Sequence, residues 1–273
     1  MTAVTLSALY VYPIKSCRGY AVENAPVTAR GLQDDRLLMV VDGEGNFLTQ
    51  REYPKLALVA PLINEELLTL RAPKMTPLDL PLRTSGSAQQ VAVWRDHCQA
   101  VDQGIGAANW LSDYLGTAVR LVHMHDNFTR AVDPRYRQRP QDETSFADGY
   151  PFLLISDASL AALNQRLATP LPMNRFRPNL VVTGCAPFAE DEWRQIQIGA
   201  LIFDVVKPCA RCTITTIDQQ SALVGKEPLA TLATFRRTAD GKVNFGQNLL
   251  SAGTGNIAVG DEEVVRFLHF ING

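Results

Sequence analysis

A Cys-x-x-Cys pair framed by cations, Lys207-Pro208-Cys209-Ala210-Arg211-Cys212, is the stretch of this chain best suited to chemistry. The thiolate form of cysteine attacks sulfur and ligates metals, and adjacent Lys or Arg side chains favour it. Three uses of such a pair differ in what must surround it. A redox dithiol sits at a helix N-terminus, whereas the β-branched run at 213–217 that follows here reads as a strand. Structural zinc takes four ligands; a second close cysteine pair is missing, and His123 and His125 could complete the set. The third use is a single reactive or metal-binding thiolate with Lys207 and Arg211 beside it, and soft thiolates suit sulfur-loving metals. Cys212, framed by charge and a rigid proline, fits that use. Cys17, Cys98 and Cys185 read as buried small apolar residues.

A second set of residues is scattered. Lys15 and Ser16 follow a strand-like run, Asp34-Asp35-Arg36 precedes another, and Asn174-Arg175-Phe176-Arg177-Pro178-Asn179 precedes a third. Guanidinium forks bind phosphate through paired hydrogen bonds, and a nearby hydroxyl or backbone N–H completes such a cradle. Each cation taken singly is more often a surface charge. The chain carries no glycine-rich phosphate loop and no Gly-x-Ser-x-Gly nucleophile elbow, which argues against nucleotide cofactors and serine hydrolysis.

The elements that must position these residues are mostly strands. Apolar and β-branched runs at 4–12, 37–41, 47–50, 56–63, 67–70, 78–82 and 91–102 predict strands, with Asp42-Gly43-Glu44-Gly45-Asn46 as a hairpin turn. Prolines 54, 61, 73, 77 and 81 make several of these irregular. Residues 107–115 predict a helix stopped by Gly116. Residues 125–145, with Arg130, Arg135, Arg137 and Arg139 among prolines, read as a solvated connector. Beyond it, 152–155, 179–183, 195–198, 201–206, 213–217, 257–259 and 263–268 predict strands. Ser156 predicts the cap of a helix with Leu160, Leu163 and Leu167 on one face, and Pro228 starts a short helix over 228–236. Short strands at even spacing with few helices predict a mainly β, α+β fold of barrel or sandwich type.

Composition narrows the setting. A length of 273 residues accommodates one large domain or two small ones. With 26 Lys and Arg against 28 Asp and Glu, the chain has no electrostatic footprint for nucleic acid. The first basic residue is Lys15 and no apolar run approaches the ~20 residues of a membrane span, so a cytoplasmic protein is expected. Five cysteines in that setting are thiols or ligands rather than a disulfide framework.

Read together, six motifs resemble one family in order. They are Tyr12-Pro-Ile-Lys-Ser-Cys17, Gly31 with Asp35-Arg36, Phe146-Ala-Asp-Gly-Tyr-Pro151, Phe176-Arg-Pro-Asn-Leu-Val181, Lys207-Pro-Cys-Ala-Arg-Cys212-Thr-Ile-Thr-Thr216 and Asn244-Phe-Gly-Gln-Asn248. The chain resembles MOSC-domain proteins that carry the MOSC N-terminal β-barrel domain. Among them it is most similar to bacterial hydroxylaminopurine reductases and mitochondrial amidoxime-reducing components. The resemblance implies a β-rich N-terminal domain over 1–122 and a MOSC β-barrel over 123–273, with the first strands free to pack on that barrel. It implies a molybdenum cofactor, a pyranopterin whose dithiolene holds the metal, with Cys212 as the protein ligand and catalytic residue and Cys209 in support. Contacts to pterin and phosphate fall on Lys15, Ser16, Arg36, Arg177, Asn179 and Arg211. Gly149 and Tyr150 stand where the mitochondrial relatives have Thr-Ser, and Asn248 where they have Tyr; all three fall at the cofactor site.

The implied reaction is two-electron reduction of a small N-hydroxylated substrate to the amine or amidine. Close bacterial relatives continue into a plant-type [2Fe–2S] domain, whose cysteine spacing is missing here, so no iron–sulfur cluster is expected in this chain. Electrons would come from a separate flavin or iron–sulfur protein, and the chain is expected to be a monomer. The alternative is a carrier of sulfur or of molybdenum cofactor without reductase activity of its own.

Overall fold

The first strand of the chain lies at the seam of its largest sheet. The computed structural model describes residues 4–266, the side chains of 263–266 excepted. The strands of the first half are β1 (Val4–Val11), β2 (Tyr20–Val22), β3 (Asn24–Thr28), β4 (Gly31–Leu32), β5 (Leu38–Val41), β6 (Ala60–Asn64), β7 (Leu67–Arg71), β8 (Leu78–Pro81), β9 (Gln89–Val93), β10 (Asp96–Asp102) and β11 (Arg120–Met124). Those of the second half are β12 (Phe152–Ser156), β13 (Leu180–Thr183), β14 (Gln195–Ile198), β15 (Leu201–Ala210), β16 (Asn244–Ser251), β17 (Gly255–Ala258) and β18 (Glu262–Arg266). Three α-helices join them: α1 (Ile105–Leu115), α2 (Asp157–Asn164) and α3 (Leu229–Ala233). The fold is mainly β.

The largest sheet runs β13-β12-β16-β15-β14-β18-β1-β2, and an added β13–β1 pairing closes its first seven strands into a barrel. Leu6, Leu9 and Val11 of β1 are buried in that barrel with Phe152, Leu154, Ile196, Phe203 and Leu249. A second core gathers the four-stranded sheet β5-β11-β10-β9, the meander β6-β7-β8 and α1, through Val40, Leu68, Val93, Leu111 and Leu121. Gly116 ends α1 in the left-handed conformation (φ 76°) expected of a helix-stopping glycine. Ser156 caps α2, its hydroxyl accepting from the Ser159 N–H, while Leu167 lies past the end of that helix.

The end of β15 positions the cysteine motif. Its register against β16 shifts between Val205 and Lys207 and again between Pro208 and Ala210. Proline has no N–H to give the ladder, and bulges re-aim the residues that follow them. Lys207, Pro208 and Ala210 keep partners on β16 through these shifts, and β15 ends at Ala210, so that Arg211 and Cys212 follow directly on its shifted end.

Several sequence expectations need correction. Residues 213–217 are not a strand: Thr213–Thr216 form a 3-10 turn with Cys212 as its cap. The Thr215 hydroxyl donates to the Cys212 carbonyl and the Thr216 hydroxyl to that of Thr213, local bonds that compete with a ladder. The run at 56–63 begins as a 3-10 turn, Pro54–Leu58, because proline favours a first helical turn. Residues 91–102 are two strands, since the chain reverses at Trp94-Arg95 and Asp96 pairs with Val93. Beyond the turn at Asp42, residues 47–50 contribute only the bridge of Phe47 to Val41. The 125–145 segment is not solvated throughout: Arg130 is buried, bonded to Asp96 and to the carbonyls of Ser145 and Ala147. Arg139 reaches Asp204 on β15. The end of the strand expected at 263–268 lies outside the described residues.

Candidate functional site

A cavity of about 290 Å³ opens where the barrel meets the first-half core. All ten residues that the resemblance singles out line it: Lys15, Ser16, Arg36, Gly149, Tyr150, Arg177, Asn179, Arg211, Cys212 and Asn248. They arrive from six separate segments, which is why no short motif contains the site. Three of them, Ser16 (φ 66°), Arg36 (φ 49°) and Arg177 (φ 57°), hold left-handed backbone that side chains other than glycine rarely adopt. Strain of this kind concentrates at functional sites, where the surrounding fold enforces it.

Charge is the next feature. Lys15, Arg36, Arg51, Arg177, Lys207 and Arg211 line the cavity, and Asp148 is the one lining carboxylate among the described residues. Lys15 Nζ donates to Asp148 (2.5 Å) and to the Phe146 carbonyl (2.8 Å), and burial pulls its ammonium below the usual range. Arg36 pairs with buried Asp35 at 2.5 Å. The other four cations have no carboxylate within ion-pair distance among the described residues. Arg177 donates to the Cys17 carbonyl (2.6 Å) and lies 4.3 Å from the Tyr12 ring centroid. Burial, then the neighbouring Arg36 cation, pull its guanidinium down to about 10. Arg211 spans the Phe176 carbonyl and the Cys209 sulfur, and its Nε is buried without a partner. Cations held together without counterions are costly unless an anion completes the set.

The thiols divide as expected except at Cys185, which is not fully buried. Cys17 and Cys98 are buried and Cys185 half-buried, whereas Cys212 is exposed at the cavity. Burial pushes the Cys17 thiol up to about 12, the inert state of a core cysteine. Arg51 Nη1 lies 3.7 Å from Cys212 Sγ, and Arg211 Nη1 lies 3.0 Å from Cys209 Sγ. Lys207 does not serve the thiol as its sequence position suggested; its Nζ sits over the Tyr136 ring at 4.4 Å. His123 is buried against Gln103 Nε2 at 3.3 Å, in the first-half core. Among the described residues no group of three or more His, Cys, Asp or Glu could hold a metal ion.

Other predicted residues act through neighbours. The Asn179 side chain accepts from Arg36 Nη1 (3.0 Å) and donates to the Tyr10 carbonyl (3.2 Å), so it braces Arg36. Asn248 donates to the Lys207 carbonyl at 3.2 Å and fixes the shifted end of β15. Tyr150 stands edge-on to Tyr136, with centroids 5.8 Å apart. A Cβ at Gly149 would meet nothing within 4 Å, which leaves that wall of the cavity open. Sequence reasoning missed Arg51 and Asp148. Asp148 lies inside a motif already noted, and Arg51 ends an apolar run as the other scattered cations flank theirs; both signals were present.

Comparison with known proteins identifies the family. Residues 3–118 match the MOSC N-terminal beta barrel domain and residues 141–264 the MOSC domain. Mitochondrial amidoxime-reducing component 1 of Homo sapiens is 35% identical over 94% of this chain and 81% of its own length. Mitochondrial amidoxime reducing component 2 of Bos taurus is 38% identical over 85% of this chain and 72% of its own. Molybdenum cofactor sulfurase of Danio rerio is 35% identical over 90% of this chain but only 32% of that longer protein. The chain thus belongs to the MOSC family, in the group that joins the MOSC N-terminal beta barrel domain to the MOSC domain.

Proposed function

We propose that this protein is a molybdenum-cofactor oxidoreductase that reduces N-hydroxylated compounds, such as hydroxylaminopurines and amidoximes, to the amine or amidine. The observation that supports it most is the exposed Cys212 thiol at the wall of a cavity whose Arg51, Arg177, Lys207 and Arg211 lack carboxylate partners among the described residues. Those residues fit an anionic, sulfur-bearing group: a thiolate for the metal, unpaired cations for phosphate, and an orphaned Arg211 Nε for one more acceptor. In this reading Cys212 is the metal ligand. Lys15, Ser16, Arg36, Arg177 and Arg211 hold the pterin and phosphate, with Asn179 bracing Arg36 and with Gly149, Tyr150 and Asn248 shaping the walls.

When bound, the molybdenum cofactor would supply a two-electron redox centre for removing the N–OH oxygen, its electrons coming from a separate flavin or iron–sulfur protein. The chain's own contribution is placement. Strained loops hold the cations before the ligand arrives, so little ordering is left to do on binding. The exposed side of Cys212 gives a small substrate its approach. The likeness to a molybdenum cofactor sulfurase supports a second reading, a module that carries sulfur on Cys212.

Protein made in a host rich in the cofactor is expected to hold about one molybdenum per chain and to reduce 6-hydroxylaminopurine with an artificial reductant. Cys212→Ser is expected to lose both. A persulfide on Cys212 in molybdenum-free protein would favour the carrier instead. Molybdenum-loaded protein inert toward every N-hydroxy compound would refute the reductase.

A further inference from the structure

Trp94 is the one tryptophan of three that the fold leaves exposed; Trp110 and Trp193 are 8% and 2% accessible, against 52% for Trp94. It occupies the two-residue turn between β9 and β10 with left-handed backbone (φ 57°), a position where glycine or asparagine fits without strain. Neither core packing nor turn geometry accounts for an indole there. Its contacts point toward the cavity. Nε1 donates to Asp148 Oδ1 at 3.1 Å, and the Arg51 guanidinium carbon lies 4.9 Å from the ring centroid. Phe47 meets it edge-on, with centroids 5.0 Å apart and planes at 62°.

Those three contacts fix the indole while half of it stays in water. Asp148 and Arg51 both line the cavity, and Arg51 reaches within 3.7 Å of Cys212 Sγ. The open indole therefore stands one side chain away from the thiol. A rigid aromatic surface of this kind stacks on planar π systems and gains little from flexible aliphatic groups.

We infer that Trp94, with Arg51 beside it, forms a stacking shelf at the cavity rim that selects N-hydroxylated substrates bearing a planar heteroaromatic ring over aliphatic ones. The inference rests on the reductase reading for the meaning of "substrate", but the shelf itself is a binding surface and can be tested by binding alone. The probes are 6-hydroxylaminopurine and acetohydroxamate, titrated by calorimetry into molybdenum-loaded protein and its Trp94→Ala and Trp94→Phe variants, with kcat and KM measured in parallel. Stacking on an aromatic side chain is worth enough for a change of about tenfold or more. The affinity ratio of purine over hydroxamate is expected to fall by about that factor in Trp94→Ala, through KM rather than kcat, and to be mostly restored in Trp94→Phe. Purine binding should also quench the emission of the wild-type protein, since Trp110 and Trp193 are shielded.

An unchanged ratio in Trp94→Ala would overturn the inference. So would equal losses for both probes, which would mean that the indole only positions Arg51 and Asp148. A wild type that fails to bind the purine would overturn it as well. A Trp94-dependent ratio in protein that turns over neither probe would uphold the shelf and remove the reductase reading alone.

Discussion

Arg177 carries the tension of the site in one side chain. It lies beside Arg36 and the Tyr12 ring, bonded to a carbonyl and to no carboxylate among the described residues. Replacing an uncompensated cation with an apolar side chain of similar length often stabilises a fold. Arg177→Met is therefore expected to raise the unfolding free energy of cofactor-free protein by about 1 kcal/mol while lowering the molybdenum retained. Urea unfolding and metal analysis check the two halves, and a variant that is less stable yet fully loaded would contradict both. At this scale the sequence was most legible where residue type alone narrows the chemistry. Cys212 stood out because charge and proline frame it, and the cations because each flanks a strand-like run. Trp94 was illegible, since nothing in Val93-Trp94-Arg95 says that the turn folds onto Asp148 and Arg51.

Between residues and molecule stand the loops that end β1 and β15. Tyr12 follows β1 and is buried, with Arg36 and Arg177 each 4.3 Å from its ring centroid. Gly19 permits this: a Cβ there would run into the Tyr12 ring and lie 2.7 Å from the Val11 carbonyl oxygen. Gly19→Ala is expected to cost about 1–3 kcal/mol as overpacking and, by shifting the ring, to loosen both guanidiniums. Reduced molybdenum retention beside a lowered melting temperature would show it; unchanged retention would mean that the ring does not set those cations. Elements were legible where β-branched residues recur, as in β1 and β14, whereas β16, which has no β-branched residue, was not expected as a strand. They were misread at Thr213–Thr216, where threonine hydroxyls satisfy the backbone locally and form a turn from residues that favour strands.

For the molecule as a whole, the barrel depends on a strand from the far end of the chain. β1 pairs with β13 on one side and β18 on the other, so a fragment of residues 125–273 lacks a stave and exposes two strand edges. That fragment is expected to show no cooperative unfolding transition, and adding residues 1–32 in trans to restore one; a cooperative transition from the fragment alone would contradict the topology. Charge shows the same dependence on distant parts. A formal net charge of −2 conceals six cations that separate segments bring to one cavity, and composition carries no trace of it. Among the described residues no helix is long and apolar enough to cross a membrane. The central claim is that this cavity holds a molybdenum cofactor through Cys212. Its most direct test is the molybdenum content of wild-type and Cys212→Ser protein purified side by side from a molybdate-supplemented, cofactor-producing host. The account predicts about one metal per wild-type chain and almost none in the variant; equal content in both, or a metal-free wild type, would contradict it.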